Sequence, residues 1–482
     1  MEAEAEVLEP LELPFSDLLL LSSSASSPSR VSSFPQELAR LESLSAAVMQ
    51  ALGPSGPGLL SITGVPKAPA LRRALLPLAR KLALLDNKDR ARILKEHGLG
   101  SDVPLKNPDR SVSSFALQLK YGQDSSLEAA SSGLSISEQS SHSEEDNSFV
   151  NRFQEFNHCG FEQLGKTFKE LGLCMMELGL RVAQICDKAI GGRELEQSII
   201  NLGSAKGRLI HYHSTLDNLI LKENCRRMKK VYSADLCPSN FHATMSGGSF
   251  PRSEREPPDE LNAKTCLIKD RFCRISLSSL WQQWHYDYGI LTVLTTPLFM
   301  LPCQTEDCSS VSNSQECSSP DGHTYLQLFD SKRNKLFVVK SPPERFIIQV
   351  GEAADILSGG KLCSTLHSVG RPVEKENLSR ETFVVFLQPS WDKTLSYPAY
   401  LLESKRNGKL LSSKETSGSC DNDNALPSTV VAGTQEPLEL MQEILRKIPP
   451  LSSRLRDGMT FAEFSRETTK QYYSGSGTQS MR

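Results

Sequence analysis

Long apolar runs are missing from this chain: no stretch is long enough to span a bilayer, which excludes a membrane-crossing helix and leads us to expect a soluble protein. An excess of positive charge is missing too. Lys and Arg number 54 against 57 Asp and Glu, a formal charge of −3, so nothing in the total draws the chain to nucleic acid or to a membrane. The 12 cysteines follow no repeating framework. Cys174, Cys186 and Cys363 fall inside apolar patterns as small core residues, which favours a reducing compartment over a disulfide-stapled fold. The acidic start, Met1 to Glu6, denies the apolar run Leu18 to Leu21 the basic flank of a secretory signal. A cytoplasmic address is expected, with nuclear and chloroplast alternatives left open by Arg226 to Lys230 and by the serines from Ser22 to Ser33. No internal repeat is visible, and no feature specifies an oligomeric state.

What is present divides the chain. Its 482 residues exceed one ordinary domain, so a catalytic unit, a helical part and loose segments are expected. Residues 1–33 read as a disordered tail, and 34–122 as an N-terminal strand and helices, with an amphipathic helix near Pro35 to Leu52 and a strand within Gly56 to Gly64. Leu71, Leu75, Leu78, Leu82 and Leu85 then form one helical face suited to core packing. The serine-rich, acidic stretch 123–149 reads as a loop. In 150–221 we expect a first core strand and a long helix, Phe153 to Lys188, whose stripe Phe161, Leu164, Phe168, Leu171, Met175, Leu178, Val182 and Ile185 is packed rather than coiled-coil. A polar insertion, 222–280, follows. The β-rich core is expected at 281–400, interrupted at 302–322 by an insertion whose Cys303, Cys308, Cys317 and His323 could make a zinc site, though C-x4-C-x8-C-x5-H lacks the tight pairing of structural zinc. Residues 401–482 read as a mobile segment with short helices, which the apolar stripe from Leu438 to Leu445 and Phe461 to Phe464 would dock.

The chemistry lies in the core. His285-Tyr286-Asp287 places an imidazole and a carboxylate two residues apart, and on a strand such residues share a face. A third ligand from a distant strand would complete a two-histidine, one-carboxylate triad, which leaves one face of the metal open and suits Fe(II) oxygenases. His367 is the candidate, approached through Ile348 to Lys361, read as strand, turn, short strand and glycine turn.

Trp284 to Leu294, Leu326 to Asp330, Lys335 to Pro343, Phe346 to Gly351, His367 to Val369 and Arg380 to Pro389 together resemble the plant-type 2-oxoglutarate and Fe(II)-dependent dioxygenases, relatives of isopenicillin N synthase. The resemblance implies an α+β fold: a double-stranded β-helix, or jelly-roll, core with an N-terminal helical region packed against it. It implies Fe(II) on His285, Asp287 and His367, and 2-oxoglutarate held by Arg380 and by Thr382, which stands where serine is usual. Arginine suits that task because its planar fork pairs bidentately with a carboxylate. Tyr212 matches a tyrosine near the co-substrate, although Ile210 replaces the customary asparagine. Arg380 stands 13 positions after His367, a few more than usual, which a longer hairpin accommodates; Arg371, before Pro372, is the rival for the carboxylate. The implied activity uses O2 and oxidatively decarboxylates 2-oxoglutarate while hydroxylating, demethylating or desaturating a small organic substrate. The alternatives are the same chemistry on a protein or nucleic acid, and a non-catalytic jelly-roll binding module.

Overall fold

A computed structural model describes residues 2–23, 35–105, 107–121, 160–234, 272–302, 314–372, 375–396, 442, 444–446 and 448–474. The architecture is mixed α and β, built on two large sheets. The six-stranded sheet contains β1 (Glu2–Leu8), β7 (Phe272–Ser276), β8 (Leu280–His285), β12 (Leu326–Asp330), β13 (Lys335–Val339) and β15 (Leu366–Gly370), in the order β7-β1-β13-β12-β15-β8. The larger sheet contains β2 (Glu12–Pro14), β3 (Leu59–Thr63), β4 (Gly100–Ser101), β5 (Val112–Lys120), β6 (Ser204–Tyr212), β9 (Leu291–Thr295), β14 (Phe346–Val350) and β16 (Ser379–Leu387). Its order is β2-β3-β14-β9-β16-β6-β5-β4, and the hairpin β10 (Leu298–Pro302) and β11 (Ser314–Cys317) joins the start of β16.

The inner faces of the two sheets pack on each other. Trp281 and Val369 of the smaller sheet meet Ile210, Tyr212 and Val384 of the larger, and Leu326, Leu328 and Val339 meet Leu59 and Ile347. Helices cover the other face of the larger sheet. In the helix Leu164–Ile190, the residues Leu164, Phe168, Leu171, Met175, Leu178, Val182 and Ile185 are all at most 1% exposed, as their spacing predicts. Phe168 meets Phe383 of β16 edge-on, centroids 4.7 Å apart, so the stripe is packed against the sheet and not paired as a coiled coil. The leucine face of Ala68–Leu84 is likewise core, with Leu75, Leu78 and Leu82 buried.

Two expectations are corrected. Residues 2–22 are not a tail: β1 pairs antiparallel with β7 and parallel with β13, and β2 leads into the helix Phe15–Ser22. The alternation is the reason, since Ala3 and Ala5 are buried while Glu4 is exposed. The short strand expected after Gly351 is a helix, Glu352–Leu357, whose Ala353, Ala354 and Ile356 are buried at helical spacing. Most of the 222–280 insertion and the 123–149 loop lie outside the described residues, but Arg226 to Lys230 fall within the helix Thr215–Ala234. The C-terminal part contributes β18 (Met459–Thr460), paired with β17 (Thr394–Leu395), and the helix Phe461–Ser474, whose Phe461 and Phe464 enter the main core. No described helix is long and apolar enough to cross a membrane.

Candidate metal centre

β8 and β15 pair so that His285 stands directly across from His367. Trp281, four residues before His285, and Val369, two after His367, anchor these strands in the interior. Asp287 lies in the loop just past β8 and not on the strand itself, yet the loop brings its carboxylate to both imidazoles. Asp287 Oδ1 lies 3.8 Å from His285 Nε2 and Oδ2 lies 3.8 Å from His367 Nε2, with the rings 4.2 Å apart. One candidate ligand atom from each of the three residues falls within 4.8 Å of the others.

The surroundings fix the orientation of each group. His285 Nδ1 lies 2.7 Å from the Gln283 carbonyl and His367 Nδ1 3.0 Å from the Thr365 carbonyl. A carbonyl can only accept, so each ring carries hydrogen on Nδ1 and turns Nε2 toward Asp287, the orientation that a metal needs. Burial, reinforced by the neighbouring His367, pushes the His285 imidazole down to about 4, so it is neutral at physiological pH. Thr292 Oγ1 donates to Asp287 Oδ2 at 2.7 Å. The backbone of the Asp287 loop is pinned by the first turn of Glu352–Leu357: Glu352 N–H donates to the Asp287 carbonyl at 2.8 Å and Ala353 N–H to that of Gly289 at 2.9 Å. Gly351 permits this close approach, because a Cβ there would run into the Gly289 carbonyl oxygen.

Arg380 and Tyr212 are cross-strand partners on β16 and β6, and the guanidinium lies over the Tyr212 ring, 5.1 Å from its centroid. Arg380 is 3% exposed, its Nε donates to the Thr324 carbonyl at 3.1 Å, and its Nη1 is buried with no hydrogen-bond partner among the described residues. Thr382, on the same face, donates its hydroxyl to the Thr295 carbonyl at 3.2 Å. Arg371 is engaged elsewhere, donating to Thr215 Oγ1 at 2.9 Å. Cys303 and Cys308 lie outside the described residues; Cys317 sits half-buried in β11, and His323 Nδ1 accepts the Tyr325 N–H at 3.2 Å.

A second group, His211, His213 and Asp217, also has metal-compatible geometry and is completely buried. Its charges close without a metal. His211 is held between Glu381, 2.6 Å from Nδ1, and Asp217, 3.4 Å from Nε2, and Arg80 pairs with Asp217 at 2.9 Å, so two cations meet two carboxylates. Burial opposes the charge on His211, but Glu381 and Asp217 overcome it and raise the imidazole to about 9. We read this group as a buried ion network behind the inward-facing Arg380 and Tyr212.

Thr292 and the Glu352–Leu357 turn are not legible as site residues in the sequence, because their roles arise from cross-strand register and loop closure. The threonine two residues after Tyr-Gly-Ile is the only local signal. Together, the two sheets and their side chains define a class of site: a three-ligand centre at the edge of one sheet, with a buried arginine on the inward face of the other.

No family model and no curated protein matches the chain. It is similar to solved structures that include a full-length Neurospora crassa protein in complex with alpha-KG and thymine, at 12% identity over 96% of this chain and 97% of that one, TM-score 0.43. JOX2 in complex with 2OG, Fe and JA is similar at 13% identity over 82% and 80%, TM-score 0.43. The dioxygenase for auxin oxidation in rice is similar at 15% identity over 84% and 96%, TM-score 0.42. These likenesses are loose, and the functional reading rests on this chain's own side chains.

Proposed function

We propose that the chain is a non-haem Fe(II) oxygenase that couples oxidative decarboxylation of 2-oxoglutarate to hydroxylation, demethylation or desaturation of a small organic substrate. The two sheets would be the halves of a jelly-roll core, with the helices of 34–122 and 150–221 laid against it and the C-terminal segment closing one end. The free thiols among the described cysteines suit a cytoplasmic address.

One observation carries this reading: a triad of two imidazoles and one carboxylate shares the interior with a buried arginine whose Nη1 has no partner among the described residues. A buried guanidinium nitrogen left without an acceptor is costly, and a carboxylate is the natural acceptor for it. His285 and His367 would hold Fe(II) through Nε2, and Asp287 through the carboxylate that Thr292 orients. Arg380 would receive the far carboxylate of 2-oxoglutarate, with Tyr212 stacked behind it and Thr382 beside it. Bound in this way, Fe(II), 2-oxoglutarate and O2 supply the oxidising power for attack on a C–H bond. The surrounding apolar walls, Trp281, Val369 and Val384, exclude water from the reacting groups.

The test is an anaerobic Fe(II) titration of the purified protein with and without 2-oxoglutarate, following the visible charge-transfer band of the chelate, beside a His285→Ala control. A band that needs protein, metal and co-substrate together and disappears in the control is the expected result. Folded protein that gives no band would refute the reading.

A further inference from the structure

Arg208 lies on the same inward face as Arg380, farther along the strand pair. β6 and β16 match Tyr212 with Arg380, Ile210 with Thr382 and Arg208 with Val384, which puts the two arginine rungs roughly 13 Å apart at the usual rise per residue. A chain of contacts ties Arg208 to the level of the metal. Asp287 accepts from Thr292, Thr292 pairs across β9 and β16 with Phe386, and the Arg208 guanidinium lies over the Phe386 ring, 5.0 Å from its centroid.

The charge around Arg208 is unbalanced. Its Nε lies 2.5 Å from Asp102 Oδ2, and the same oxygen takes Lys206 Nζ at 2.9 Å, so a single carboxylate serves two cations. Both cations are largely covered, at 25% and 33% side-chain exposure, where an excess positive charge is poorly compensated by solvent. Leu294 and Phe386 stand beside them and are only partly buried. A positive charge next to apolar surface, at the level of the metal and away from Arg380, matches an organic anion.

We propose that Arg208, oriented by Asp102 and supported by Lys206, receives the carboxylate of the substrate, so that the protein acts on a small organic acid whose apolar body lies against Leu294 and Phe386. The proposal rests on the oxygenase reading above. It assigns one arginine to each acid: Arg380 to the co-substrate and Arg208 to the substrate. A guanidinium fork favours a carboxylate over its neutral amide because both of its hydrogen bonds become charge-assisted.

The experiment uses the full chain with Fe(II) and 2-oxoglutarate under anaerobic conditions, reading the shift of the chelate band on adding phenylacetate, cinnamate or octanoate, each beside its primary amide. At least one acid should shift the band at a concentration tenfold or more below that of its amide. R208Q should lose that response at least tenfold while still forming the band with 2-oxoglutarate, and R208K, which keeps the charge but not the fork, should recover part of it. Amides that act as well as acids, acids that all fail, or a response unchanged in R208Q would overturn the proposal. A wild-type protein that forms no band at all would instead remove the oxygenase reading, and this inference with it.

Discussion

Arg380 is buried at 3% exposure; its Nε donates to the Thr324 carbonyl while its Nη1 has no partner among the described residues, so donor capacity is left for a ligand. Removing one partner of a buried charge-assisted pair costs roughly 2–5 kcal/mol. Arg380→Ala should therefore raise the 2-oxoglutarate concentration needed for the chelate band on the order of a hundredfold. It should leave Fe(II) affinity, measured by metal titration, nearly unchanged. His367→Ala should lose the metal itself. Thr292→Val keeps the shape but removes the hydrogen bond to Asp287, and should weaken Fe(II) binding roughly 10- to 100-fold, as loss of an orienting partner does. The proposed ligands are legible in the sequence because H-x-D is a local spacing and because Arg380 heads an apolar strand. Thr292 and Thr295 are not, since their hydrogen-bond partners sit on other elements and only the register brings them together.

The strand pair β6 and β16 carries polar rungs on both faces: Arg380 and Tyr212 among those inward, and Glu381 and His211 outward. The outward pair makes this element sensitive to pH. His211 has its imidazole raised from an unfolded value near 6.5 to about 9, so its contribution to stability is fully present below about pH 6.5 and is lost as pH rises through about 9. That difference corresponds to on the order of 3 kcal/mol. Denaturant midpoints of the metal-free protein should fall across that window, and H211Q should flatten the slope. A wild-type midpoint that holds constant from pH 6.5 to 9 would contradict the charged network. The same network explains why sequence periodicity reports the strands but not their coupling. His211 and Glu381 are 170 residues apart, and each alone reads as an ordinary polar residue in a strand. The Glu352–Leu357 helix escapes the sequence reading for another reason. At six residues it is too short for its apolar spacing to be told from a strand, and its helical form is fixed by the two carbonyls of the Asp287 loop that its first turn satisfies. Gly351→Ala should therefore act on the whole element, pushing the turn off Gly289, lowering stability by about 1–3 kcal/mol and weakening Fe(II) binding in the same variant.

At the scale of the molecule, the C-terminal segment reaches back to the candidate metal centre by two routes. Arg454, 1% exposed, pairs bidentately with Glu352 at 2.7 and 2.5 Å, and the Glu352 backbone in turn holds the Asp287 carbonyl. Tyr472 accepts the backbone N–H of Tyr286, the residue between two of the proposed ligands, at 3.2 Å. Between this segment and the smaller sheet lies a cavity of about 370 Å³, lined in part by Tyr286, Glu352, Ile448 and Arg454. The mobile segment expected from composition lies outside the described residues, whereas Phe461 and Phe464, expected to open a last short helix, do so and enter the core; the ion pair is invisible in the sequence because Glu352 and Arg454 are 102 residues apart. The coupling can be measured. Breaking a buried pair by removing one partner leaves an uncompensated charge and costs about 3–5 kcal/mol, whereas neutralising both costs far less. R454M should thus lower the denaturant midpoint steeply and weaken Fe(II) binding, and the double variant R454M/E352Q should recover most of both losses. If stability recovers in the double variant but metal affinity stays equally low in the two, the uncompensated charge would not be what weakens the centre, and the hydrogen-bonded fork of Arg454 on Glu352 would be what the C-terminal segment lends to it.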